Sequence, residues 1–304
     1  MAIAHYLREI GRGRDGARAL DRAQAADLFG LILDGHASDL EVGAFCVAMR
    51  IKGETPGEMA GFLDATEARL ARLPASDRPV VVLPSYNGAR RLALLTPLLA
   101  LLLAREGLPV LIHGMATEER RVYTTKVLDA LDVPERHAIE PIAPGELAFV
   151  PTRLLCAGLA RLLEVRRVIG LRNPAHSLVK QMNPCEGRCL IVASYTHPDY
   201  AAAMGAVFEL TQANALLLRG TEGEPVADPR RLPQMTAFRS GRRMLLQEKQ
   251  SGPSAAPAAP PLLPAADDVA GTAAYTRAVL AGREPVPAPI ARQLALILQL
   301  TEAR

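Results

Sequence analysis

Apolar side chains recur at helical spacing through the first seventy residues. In DRAQAADLFGLILDG, the residues Ala25, Leu28, Phe29, Ile32 and Leu33 fall on one face, with Asp21 placed to cap the helix and Gly35 to stop it. The next stretch, SDLEVGAFCVAMRIKGETPGEMAGFLDATEARLARL, predicts two more helices. One starts at Ser38, with Glu41 three residues on as a capping box, and the other starts at Thr55-Pro56. From residue 80 the pattern changes to short β-rich runs alternating with helices. The runs are VVVLP, LPVLIHG, LAFVP (147 to 151), RRVIGLR, CLIVASY (189 to 195) and ALLLRG (215 to 220). Helices are expected from Thr96 through Ala104, across TTKVLDALDV, around 153 to 164 and across YAAAMGAVFELTQA. Alternation of this kind argues for an α/β sheet, mainly parallel.

The chain is thus expected to be α/β, with an N-terminal helical-bundle domain over residues 1 to 75 and an α/β domain over 76 to 304. A Pro/Ala-rich linker is expected at about 251 to 267, then two closing helices, about 268 to 282 and 287 to 301. The opening MAIAHYLREIGRGRDG reaches Arg8 and Glu9 without an apolar stretch, so no signal peptide is expected. The longest apolar run, Leu92 to Ala104, is too short at 1.5 Å per residue for a bilayer core of about 30 Å. A soluble cytoplasmic protein is the expectation.

Composition changes this picture in two places. The four cysteines lack the spacing of a disulfide framework or a zinc site: the close pair, Cys185 and Cys189, stands in CEGRC without a second pair nearby. The net charge of +3 is unevenly spread. Residues 1 to 70 carry eight basic against eleven acidic side chains, whereas residues 150 to 250 carry fourteen against eight. That excess is almost entirely arginine, the side chain suited to phosphate.

Candidate chemistry begins at PSYNGARR, Pro84 to Arg91. A loop between a parallel strand and a helix gathers free N–H groups at the positive end of the helix dipole, so it is a favoured anion site. Thr96 before Pro97 predicts the helix start, with threonine as cap. Arg90 and Arg91 add charge to that loop, but it has no glycine-rich cradle and no Walker lysine.

Several segments together resemble the anthranilate phosphoribosyltransferase family. VAMRIKGETPGEMAGF is similar to its N-terminal helical segment, REGLPVLIHG to its strand ending in Lys-His-Gly-Asn, HSLVKQMNP to its Gly-Pro-Leu-x-Asn-Pro turn, and LRGTEGEP to its His-Gly-x-x-Gly-x-Asp-Glu loop. The resemblance implies a helical domain on an α/β domain, paired as a homodimer through the helices. The family's substrate elements are altered. Its diphosphate loop falls on PSYNGA without the first three glycines or the Asp. Its following asparagine falls on Leu94, and Lys-His-Gly-Asn reads Ile112, His113, Gly114, Met115. Its magnesium-holding Asp-Glu pair reads Glu224-Pro225. No catalytic residue, metal or cofactor is therefore assigned.

The replacements are basic. Arg90, Arg91, Arg120, Arg121, Arg172, Lys180, Arg239, Arg242 and Arg243 are the candidate contacts to a polyanion, with Arg166, Arg167, Arg230 and Arg231 close to them in sequence. LPSYNGARR followed by LTPLLALLLAREG is similar to the YbiB-type branch of the family, which implies nucleic-acid binding on a transferase scaffold. The expected partner is DNA, with RNA second, bound largely without regard to sequence. The alternative is a glycosyl or phosphoribosyl transferase with a different acceptor, using His113 and Glu224; a scaffold for a protein partner is the third reading.

Overall fold

The computed structural model describes residues 2–13, 15–118, 120–250 and 262–302. Four helices open the chain: α1 (Ala4–Ile10), α2 (Arg22–Leu33), α3 (Asp39–Lys52) and α4 (Pro56–Glu67). Reciprocal capping boxes start three of them, pairing Asp21 with Gln24, Ser38 with Glu41 and Thr55 with Glu58. Each box satisfies two N–H groups that the first helical turn leaves free. The helices meet on Phe29, Phe45 and Phe62, which are fully buried with ring centroids 4.7 to 6.3 Å apart.

Seven strands follow: β1 (Val80–Ser85), β2 (Val110–Gly114), β3 (Leu147–Pro151), β4 (Cys189–Tyr195), β5 (Ala215–Arg219), β6 (Met235–Arg239) and β7 (Arg242–Gln247). They form one sheet in the order β3-β2-β1-β4-β5-β6-β7, parallel from β3 to β5 and antiparallel beyond. Helices connect and cover them: α5 (Thr96–Arg105), α6 (Thr124–Asp129), α7 (Thr152–Leu155), α8 (Ala157–Ile169), α9 (Ala175–Leu178), α10 (Pro198–Leu210), α11 (Val269–Leu280) and α12 (Ala288–Glu302).

Alternation along β1 divides the core. Val80 and Val82 join the core of the helical region, whereas Val81 and Leu83 pack with Leu98 and Leu99 of α5 and Ile297 of α12. With both faces buried, the strands read as continuous apolar runs. Leu159, Leu162 and Leu163 of α8 return to the core made by α2 and α4. The helical layer is therefore built from two separated parts of the sequence.

Three local expectations need correction. RRVIGLR is not a strand: residues 166 to 169 are the last turn of α8, closed by Gly170 in the left-handed region at φ 71°. Arg239, Arg242 and Arg243, assigned to no element from the sequence, belong to the β6–β7 hairpin, whose Ser240-Gly241 turn has φ 46° and 76°. Thr96 is the first residue of α5 rather than its cap, because its hydroxyl donates to a buried carboxylate, Glu224 Oε2, at 3.2 Å. Of the expected linker, residues 251–261 lie outside the described residues. Among those described, no helix is long and apolar enough to cross a membrane.

Candidate functional site

The carboxyl ends of the parallel strands carry the loop after β1, residues 86–95, and it is tied to two others. Ala89 and Val122 exchange both backbone hydrogen bonds, 2.7 and 3.0 Å, zipping it to the segment after β2. Gly88 sits at φ 67°, where a Cβ atom would meet the Val122 oxygen at 2.7 Å, so the Asn-Gly turn requires glycine.

The third element is the turn after β5, and it fills the anion position with the chain's own carboxylates. Glu224 is 1% exposed. Its Oε1 accepts the N–H groups of Asn87 (2.8 Å) and Gly88 (2.7 Å), and its Oε2 accepts the hydroxyls of Ser85 (2.5 Å) and Thr96 (3.2 Å). Two residues earlier, Glu222 Oε2 accepts three consecutive N–H groups, from Arg90 (2.7 Å), Arg91 (3.0 Å) and Leu92 (3.4 Å). Consecutive amides converging on one oxygen make an anion-binding nest. Glu222 takes the left-handed conformation, φ 53° and ψ 20°, to reach it.

The turn is locked from below. Lys180 Nζ and Ser194 Oγ both donate to the Gly223 carbonyl, at 2.8 and 2.7 Å, and Asn87 Nδ2 donates to the Glu222 carbonyl at 2.9 Å. Burial pulls the Lys180 ammonium down to about 8, against the opposing pull of Glu224. Lys180, a candidate polyanion contact from the sequence, is 8% exposed, and its ammonium holds the Gly223 carbonyl of this turn.

Beside the loop, Glu118 gathers Arg166 (2.5 Å), Arg121 (3.2 Å) and Arg172 (3.4 Å). Burial would raise its carboxyl, but Arg166 and Arg121 outweigh that and hold it below the usual carboxylate range. Burial lowers the Arg172 guanidinium, and Arg166 adds to the effect. His176 and His113 are both neutral. Burial takes each down to about 3, with Arg172 and Arg166 contributing at His176. Unfolded, each ring titrates near 6.5. The unfolded chain therefore binds more protons between pH 6.5 and about 3, so stability falls as pH drops through that window. The loss is at most about 1.4 kcal/mol per pH unit for each ring. Urea midpoints at pH 7 and pH 5 report it; equal midpoints would rule out neutral burial of the two rings.

The nine candidate residues fall in two places. Arg90, Arg91 and Arg120 are exposed at the carboxyl ends, and no ion-pair partner is seen for their side chains among the described residues. Arg121, Arg172 and Lys180 stand beside them, held by Glu118 and Gly223. Arg239, Arg242 and Arg243 lie at the opposite end of the sheet, because β6 runs antiparallel and its turn meets Ala213 and Asn214 before β5. There Arg243 pairs with Glu209 at 2.9 Å and stands over the Phe238 ring at 5.5 Å. One continuous groove through all nine is not formed. Sequence reasoning did not single out Glu222 or Glu118. The available signal for Glu222 was Glu-x-Glu in TEGEP, on a loop after a strand that parallel order returns to the end of β1.

A cavity of about 540 Å³ opens below the loop between the helical layer and the sheet, lined by Arg172, His176, Lys180, Ser194 and Tyr195 among others. Among the described residues no group of three or more His, Cys, Asp or Glu side chains is placed to hold a metal ion.

Comparison with known proteins fits this arrangement. The helical bundle domain of the glycosyl transferase family matches residues 4–69. The uncharacterized protein YbiB of Escherichia coli (strain K12) is 39% identical over 309 residues, covering 99% of this chain and 95% of that protein. Anthranilate phosphoribosyltransferase of Symbiobacterium thermophilum is 30% identical over 227 residues, covering 71% and 64%. The crystal structure of anthranilate phosphoribosyltransferase from Thermus thermophilus shares the fold, with a TM-score of 0.70 at 20% identity over 99% of this chain and 88% of that one. The chain belongs to the family of YbiB, within the anthranilate phosphoribosyltransferase-like proteins.

Proposed function

We propose that this protein binds nucleic acid, DNA first and RNA second, largely without regard to sequence, through exposed arginines at the carboxyl ends of its parallel strands. One observation carries this reading. The backbone donors of the loop after β1 are occupied by Glu222 and Glu224, while the guanidinium groups of Arg90 and Arg91 on the same loop point outward unpaired among the described residues. A loop in that state has lost its pocket for a small diphosphate and kept its charge for a long polyanion. Guanidinium contacts to phosphate position a strand without reading its bases. The transferase alternative needs Glu224 free for substrate or metal, and that carboxylate is buried under four donors.

The test is binding of the purified protein to DNA and RNA oligonucleotides across a salt series, with a parallel assay for magnesium-dependent diphosphate release. The expected result is affinity that falls steeply with salt for every sequence, with no diphosphate release. Absence of binding, or binding indifferent to salt, would remove the reading; diphosphate release would restore the transferase.

The partner proposed for the helical layer is a second copy of the chain. On α3, Leu40, Val47 and Ile51 are 85%, 41% and 66% exposed along one face, beside an apolar groove of about 390 Å³ that includes Leu7 and Ile10 of α1. Side chains at this spacing form an apolar stripe that the chain itself leaves open to water. Ile51→Glu is expected to convert a dimer to a monomer in light scattering after size exclusion; an unchanged mass would place the dimer contact elsewhere.

A further inference from the structure

We propose that Glu222 is an autoinhibitory contact, a built-in phosphate mimic that keeps the amide nest of residues 90–92 closed and is exchangeable for an external phosphate. The inference rests on the reading of this loop as one that faces phosphate, and its first readout, pyrophosphate binding, needs no nucleic acid.

Two carboxylates fill the loop, and the structure gives them different roles. Glu224 is buried under two amides and two hydroxyls, and removing it would strand the amides of Asn87 and Gly88 inside the protein. Glu222 is half-buried and bound through one oxygen only, Oε2; among the described residues its Oε1 takes no hydrogen bond. Its three donors are all backbone N–H groups at the solvent margin, next to the exposed Arg90 and Arg91 side chains. An arriving phosphate offers one oxygen to the nest and others to those guanidinium groups, contacts that Glu222 does not make.

The backbone around Glu222 is fixed independently of its carboxylate. Asn87 holds the Glu222 carbonyl, and Lys180 with Ser194 holds that of Gly223. A Cβ atom at Gly223 would lie 2.1 Å from Asn87 Nδ2, so the turn closes tightly on the loop. The side chain is therefore free to swing out while the turn stays. Its φ of 53° is a conformation that non-glycine residues seldom take, maintained here by a tight turn that aims the carboxylate at the nest.

Removing an acidic residue beside arginines would favour any anion through charge alone, so the experiment separates occupancy from charge. Inorganic pyrophosphate is titrated into the wild type, Glu222→Gln, Glu222→Ala and Glu222→Gly, with the amide resonances of Arg90, Arg91 and Leu92 followed by NMR. Glutamine loses the charge but keeps a carbonyl oxygen for the three N–H groups. Alanine and glycine empty the nest, and glycine also suits the left-handed backbone, so at least one vacated variant keeps the fold. The expected result is pyrophosphate binding by the Ala and Gly variants about tenfold or more tighter than by the Gln variant and the wild type, with shifts at those three amides. Equal affinity in the Gln and Ala variants would reduce the effect to charge and overturn the proposal. A folded Gly variant whose three amides do not respond would overturn it as well. Oligonucleotide binding by the wild type that is unchanged in all three variants would leave the nucleic-acid reading in place and sink the exchangeable contact.

Discussion

Replacing Glu224 with alanine is expected to lower the free energy of unfolding by about 3–5 kcal/mol, the range for leaving buried partners of a charged group unpaired. Among the described residues the carboxylate is the one acceptor for the N–H groups of Asn87 and Gly88, and it shares the Ser85 hydroxyl with Thr124 Oγ1, 2.5 Å away. Each donor stranded in the interior costs about 1–3 kcal/mol. The buried Lys180 ammonium also loses the negative charge of Glu224, which favours it. Glutamine at this position restores one carbonyl oxygen but turns an NH2 group toward donors, so more than half of the loss is expected to remain. Urea denaturation of the two variants measures both values. A loss below about 1 kcal/mol for alanine would show that water replaces the carboxylate and that the loop is not closed by Glu224.

That buried carboxylate also marks where sequence reading ended. The helices were legible because their signals are local: Asp21, Ser38 with Glu41, and Thr55-Pro56 each cap the helix they precede. The parallel strands were legible because burial on both faces leaves continuous apolar runs such as Val80 to Leu83. RRVIGLR misled because β-branched residues in the last turn of a helix look like a strand when the turn is read alone. The β6–β7 hairpin was hidden by its own arginines, which mark surface whether it is loop or edge strand. Glu224 could be named from the sequence, Glu222 only as part of TEGEP, and neither could be given its role. Their partners are about 130 residues away, between Ser85 and Thr96, and only the placement of β1 and β5 in one sheet brings the two loops together. A motif carries its donors in sequence, whereas an internal anion in that motif comes from elsewhere in the fold. Loss of the glycines in PSYNGA was visible as a departure from a pattern; the acidic turn that fills the loop instead was not.

The double substitution Arg90→Ala with Arg91→Ala is expected to weaken oligonucleotide binding for all sequences alike and to reduce the slope of log affinity against log salt by up to about 2. Each phosphate neutralised contributes about 0.9 to that slope for duplex DNA. Both guanidinium groups are exposed, and their backbone amides already hold Glu222, so alanine removes charge while the loop conformation is kept. Arg239 and Arg242 provide the contrast, because they project from a hairpin turn at the other end of the sheet. If nucleic acid lies only across the carboxyl ends, Arg239→Ala with Arg242→Ala will leave the slope unchanged, and the two double variants combined will equal the first alone. If a strand wraps the sheet and reaches both ends, the slopes will fall separately and their losses will add. A salt slope that stays at the wild-type value when Arg90 and Arg91 are removed would place the phosphate track away from the loop after β1 and leave its arginines as ordinary solvated surface.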